Sequence, residues 1–209
     1  MLLVLVVIII HYTRLSLYHQ IIKEDGLVEY LTAFLLLMAS VFLFIKVIKN
    51  KAGKGNIWVF FNLLMSLGLF FGFGEEISWG QRIFNLTPGD FFMENNLQKE
   101  TNIHNLAFNE LKINKWVFSY LFSFVFGAYF FLLLIAYKKI NPIKNFIDQL
   151  GIPIPKVKHI ITFALISLLI FSIPDDKKWE LWECLFALVL LSVFIEPYNR
   201  DEKLLITRK

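Results

Sequence analysis

Apolar residues come in long runs along this chain, separated by short polar turns and by one long polar loop. Six runs reach or approach the ~20 residues a helix needs to cross a hydrocarbon core ~30 Å thick. They are Met1 to about His19, Leu27–Ile48, Ile57–Gly74, Trp116–Tyr137, Ile160–Ile173 and Trp179–Ile195. The first run has neither a basic leading region nor a small-residue cleavage site, so it predicts a spanning helix rather than a signal peptide. The fifth is short and closes at Pro174, with a start as early as Val157 equally consistent. No internal repeat divides the chain, and residues 1–209 read as a single integral membrane domain. The expected fold is all-α: a polytopic transmembrane bundle of about six helices.

The polar residues gather in Gly72–Asn105, inside the loop that separates the third run from the fourth. This stretch carries Glu75, Glu76, Trp79, Gln81, Arg82, Asn95, Asn96, Gln98, Glu100, Asn102, His104 and Asn105. Residues 75, 79 and 82 fall at helical spacing, so EEISWGQR reads as a continuation of the third helix or as a shallow interfacial helix. Thr87, Pro88 and Asp90 read as the cap and first turn of another short helix, with Phe91, Phe92 and Leu97 suited to lie on a membrane surface.

Composition agrees with the pattern. Hydrophobic residues make up 57% of the chain and charged residues only 18%, too apolar for an ordinary soluble domain. The net charge of +4 comes largely from loop lysines, which points to orientation in a bilayer and away from nucleic acid. Lys46–Lys54 is basic without an acid, Lys138–Lys158 carries five lysines against Asp148, and the tail holds Arg200, Lys203, Arg208 and Lys209. With six spans these regions and the N-terminus share one side, so both termini are expected in the cytoplasm. The opposite side then receives the turn at Lys23–Gly26, the loop Glu75–Lys115 and the turn at Asp175–Lys178. The single Cys184 lies in an apolar run and excludes an intramolecular disulfide.

That orientation sets Glu29, Glu180 and Glu183 at the outer ends of helices, on the same side as the long loop. Ionisable groups inside apolar runs are costly and normally face a bundle interior or a wet cavity. A polar site at the outer interface, roofed by the loop, is the expectation. Its sharpest form is a metal-assisted or acid–base hydrolase of a lipid or lipid-linked substrate. Glu75, Glu76, Glu100 and His104 are the candidate catalytic groups, and His104, Glu100 and Glu76 the candidate ligands of a divalent metal. On a helix Glu100 and His104, four apart, would share a face. Arg82 suits bidentate contact with phosphate or carboxylate, and Gln81, Trp79, Asn102, Asn105, Glu29, Glu180 and Glu183 complete the candidate substrate-binding set. Ser78 has no Gly-x-Ser-x-Gly elbow around it and is not expected to be a nucleophile. Two other classes fit the same residues: a non-catalytic subunit docking a partner protein or lipid through the loop, and a small transporter using Glu29, Glu180 and Glu183 for proton coupling.

The string GEEISWGQR followed by NxQxExNxHN resembles a group of bacterial multi-pass membrane proteins of uncharacterised activity, over most of the chain including Glu24-Asp25-Gly26. The resemblance implies the bacterial inner membrane and no chemistry. Glu75-Glu76 with a later arginine and His-Asn also resembles CAAX-type intramembrane endopeptidases. There the sequence departs from that pattern, with Gly80 at the arginine position, Glu100 in place of a phenylalanine and Phe108 in place of an asparagine. Their catalytic roles are therefore not carried over.

Overall fold

The computed structural model describes residues 1–23, 25–108, 111–112 and 121–199. It is helical nearly throughout. In chain order the helices are α1 (Leu2–Thr13), α2 (Leu15–Ile22), α3 (Leu27–Asn50), α4 (Asn56–Glu76), α5 (Asp90–Asn95), α6 (Phe122–Gly127), α7 (Leu133–Lys139), α8 (Asn141–Leu150), α9 (Val157–Phe171) and α10 (Lys178–Ile195). A π turn, Ala128–Leu132, joins α6 to α7. Two short strands, Ala107–Phe108 and Leu111–Lys112, pair antiparallel at the end of the loop.

Among the described residues two segments, Leu27–Gly53 and Asn56–Glu76, are long and apolar enough to cross a membrane, with mean hydropathy of 2.5 and 1.9 in their most apolar windows. A third qualifies if Phe124–Lys139 and Asn141–Leu150 count as one span; that pair is bent by 117°. The helices α1 and α9 are apolar but shorter. The first expected helix is broken. Arg14 (φ −146°, ψ 70°) closes α1 and opens α2, because its carbonyl starts the new helix with Leu17 and Tyr18 as donors. The expected fourth helix is described only from Leu121 onward, its first residues lying outside the described ones.

The expected basic loop at 138–158 contains α8, which hydropathy does not signal. Pro142 at its start and Gly151 just past its end are the local markers of a helix there. Gly151 sits at φ +71°, and a Cβ on it would fall 2.1 Å from the Trp58 indole nitrogen. Only glycine fits that crossing of α8 over α4. Asn62 completes it, its amide donating to Leu150 O and Trp58 O.

The most extensive packing is between α3 and α4, with α10 laid against α3 and α9 against α10. Where α3 and α4 cross, Ser40 and Ser66 exchange hydroxyl-to-carbonyl hydrogen bonds of 2.8 and 2.9 Å. Small hydroxyl residues of this kind bring helices close and tie them without charge. Tyr18, Ile22, Val28, Leu43, Phe130, Ile170, Leu181 and Leu185 fill the core between these elements. Leu134, Tyr137, Ile147 and Ile154 form a separate cluster around α7 and α8. There Lys156 and Lys158 converge on Glu196, and Asn199 binds the backbone of Ile152 and Ile154. The two lysines hold the Glu196 carboxyl well below its ordinary range, at about 2.

Candidate functional site

At the end of α4 the chain reverses sharply. Ile77 ends the helix, and Ser78, Trp79 and Gly80 all take positive φ (47°, 53° and 81°). The expected helical continuation through EEISWGQR is therefore absent. The reason is visible in Gly74, where a Cβ would lie 2.9 Å from the Trp79 ring. Trp79 folds back onto the helix it has just left, and its indole N–H donates to Glu75 Oε1 at 2.8 Å.

Glu75 is the point on which the far end of the loop rests. Its other oxygen accepts from the backbone N–H groups of Ile103 (2.6 Å) and His104 (2.9 Å), and His104 Nδ1 stands 3.4 Å away. The Asn105 amide nitrogen lies 3.1 Å from His104 Nε2, the ring nitrogen away from the carboxylate. Buried to 4% exposure, Glu75 is fully occupied.

Glu100 is occupied in the same way. It is equally buried and takes a hydrogen bond from Ser78 Oγ (2.7 Å), another from Asn102 Nδ2 (2.6 Å), and an ion pair from Arg82. The second arm of Arg82 reaches Asp25, tying the loop to the turn before α3. Asn96 organises the backbone: its side-chain oxygen accepts from Gln98 N and Glu100 N, and its amide donates to Asn102 O and Oδ1. Gln81 accepts from Thr101 N.

This network corrects several expectations. Residues 96–105 are not helical, so Glu100 and His104 do not share a face; each goes to a different partner. The side chain of Asn96 captures amides that a helix would have used, and Lys99 takes φ 56°. The short helix at Asp90–Asn95 starts from Gly89 without a side-chain cap, not from Thr87. The expected metal set is not assembled, because Arg82 and Asn102 take Glu100 while His104 faces Glu75. Among the described residues no group of three or more His, Cys, Asp or Glu is arranged to hold a metal ion. Arg82, expected to clamp a substrate anion, has both arms committed. Ser78, set aside above as a nucleophile, and Asp25 and Asn96, given no role above, hold the site together; their signals in the sequence are only a hydroxyl, a turn acid and an amide in a loop.

The remaining acids behave differently. Glu76 accepts no hydrogen bond and forms no ion pair among the described residues, although Glu183, Glu180, Glu29 and Glu75 all bear on it electrostatically. Glu183 likewise has no such partner there, and feels His104 and Glu29. Glu29 accepts from Asp25 N and is within range of Glu180 and Arg82. The structure thus brings the ends of α3, α4 and α10 together as a carboxylate cluster, with His104 and Arg82 contributed by the loop. Comparison with protein-family models, with curated proteins and with solved structures finds no match for this chain.

Proposed function

We propose that the chain is a six-span protein of the bacterial inner membrane, with both termini cytoplasmic and the carboxylate cluster on the extracytoplasmic side. There it acts as an acid–base hydrolase on a lipid or lipid-linked substrate. The apolar side chains left exposed on α3 and α4, among them Phe34, Phe44, Phe60 and Leu67, support burial in a bilayer.

One observation carries the catalytic reading. Next to the fully bonded Glu75 stands Glu76, without a partner among the described residues and with like charges on α3 and α10 in range. Carboxylates in such a set share protons rather than all ionising, which supplies a base and an acid side by side. In this mechanism one carboxylate of the Glu76–Glu183 pair takes the proton of an attacking water. Its protonated partner delivers a proton to the leaving oxygen as the bond to it breaks. His104, in range of Glu183 and oriented by Glu75, is placed to reset the proton balance.

The test is direct. The full-length protein in nanodiscs is incubated with inner-membrane lipid extract, and products are followed by mass spectrometry. Wild type is expected to release a product that Glu76→Gln releases about 100-fold more slowly, at unchanged melting temperature. Full activity in Glu76→Gln, or no product dependent on wild type, refutes the reading. A second reading, a non-catalytic docking subunit, is favoured by the exposed Ile83, Phe84, Leu86 and Phe91 on the loop. It predicts unchanged lipids in both proteins and loss of a co-purifying membrane partner in Phe84→Ala.

A further inference from the structure

Between the α6–α7 segment, α9 and α10 runs a groove of about 310 Å³. Phe126, Gly127, Phe131, Phe163, Ser167 and Trp182 are among its walls. Among the described lining residues the single hydroxyl, on Ser167, already accepts from the Trp182 indole N–H at 3.1 Å. Water or a polar group inside would find almost no partner, so the occupant the lining favours is hydrocarbon.

The gap is not slack packing. Behind it Phe130 stacks on Phe163 with centroids 4.6 Å apart, and Phe126 lies 4.3 Å from Phe186. It arises where the π turn Ala128–Leu132 offsets the helix and where Gly127 leaves out a side chain. A Cβ at Gly127 would meet no heavy atom within 4 Å. Single π turns inside helices recur at functional sites.

The mouth is apolar as well. Phe131, Leu168 and Phe171 at its rim are exposed, and so are their neighbours Leu165 and Leu132. The groove is therefore continuous with the faces that the proposed membrane reading gives to lipid. Along α9 it extends from Phe163 to Phe171, roughly 12 Å at 1.5 Å per residue. Trp182 closes it from α10, its ring 5.7 Å from Phe163 and 6.5 Å from Phe171.

We infer that this groove seats one hydrocarbon chain of a membrane lipid. The inference rests on the membrane reading above and not on the acid–base one.

The experiment uses the full chain in phosphatidylglycerol nanodiscs containing a diazirine on one acyl chain. After illumination the adducts are mapped by peptide mass spectrometry. Adducts are expected to concentrate on Phe126, Phe131, Phe163 and Trp182, several-fold above the lipid-facing Leu165. Gly127→Leu, which fills the groove, should bring them down to the Leu165 level, and Ala164→Phe should do the same by filling it from α9. Even labelling along the outer face of α9 overturns the inference, as does focused labelling that survives both substitutions. Cross-links joining two copies of the chain at these residues also overturn it. Glu76→Gln separates the two proposals. Focused labelling with undiminished turnover in that variant leaves the groove standing and removes the acid–base site, whereas lost turnover with even labelling does the reverse.

Discussion

Two sets of carboxylates meet where α3, α4 and α10 end, and they are handled in opposite ways. Glu75 and Glu100 are buried and saturated: indole, amide, hydroxyl, backbone and guanidinium donors converge on them. Glu76 has Glu183, Glu180, Glu29 and Glu75 in electrostatic range, Glu183 has His104 and Glu29, and neither accepts a hydrogen bond among the described residues. Buried charge is tolerable only when bonded, so the first set builds structure. The second set is not neutralised by hydrogen bonds among the described residues, and the proposed acid–base role rests on that difference. Adjacent glutamates in one sequence motif thus have different surroundings.

The difference can be broken from either side. The largest expected effect is Arg82→Leu, which leaves Glu100 buried without its counter-ion. Removing one member of a buried pair costs about 3–5 kcal/mol, read as a large drop in the melting temperature of the detergent-solubilised protein. A melting curve superimposable on wild type would show that the pair does not hold the loop. Next comes the contrast of neighbours. Glu75→Gln keeps the shape but loses charge-assisted bonds worth about 2 kcal/mol in sum, so stability falls. Glu76→Gln removes like-charge repulsion and should leave the melting temperature unchanged or raise it. If the two variants shift in the same direction by similar amounts, the division of labour between them is wrong.

The smallest effect sharpens the comparison at the opposite end of the fold. Glu196 is exposed, and its carboxyl is lowered from 4.5 to about 2 by Lys156 and Lys158. A depressed carboxyl contributes stability above its unfolded pKa and loses it as pH falls through the folded one. The contribution should therefore be complete above pH 4.5 and fade between 4.5 and about 2. It should weaken in high salt, because exposed pairs are screened. Glu196→Gln should abolish that segment of the pH–stability curve; an unchanged segment would mean that the lysines do not act on Glu196.

Much of the fold was legible as a pattern of runs. The expected helices at Leu27–Ile48, Ile57–Gly74, Ile160–Ile173 and Trp179–Ile195 differ from the observed ones only by a few residues at their ends. Hydropathy reports burial along a helix, so it missed a helix whose polar residues dominate, α8, and a break at one residue, Arg14. Within the loop the polar composition was legible and the partners were not. The four-residue spacing of Glu100 and His104 has meaning only on a helix, and Asn96 prevents that helix by bonding the amides of Gln98 and Glu100. Ser78, set aside as a nucleophile, holds Glu100 instead.

By itself, then, the sequence determined the helical class, the long apolar segments and the place where polar chemistry collects. Each of these depends on local composition and on the period of a helix, which are properties of neighbours in the chain. Tertiary structure alone decided which glutamates are bonded and which are left to one another. Glu75 and Glu76 have nearly the same local sequence, but Glu75 meets Trp79 folded back over Gly74 and the amides of residues 103 and 104, while Glu76 meets acids from α3 and α10. Apart from Trp79, those partners lie tens of residues away in the chain, and only packing brings them within reach.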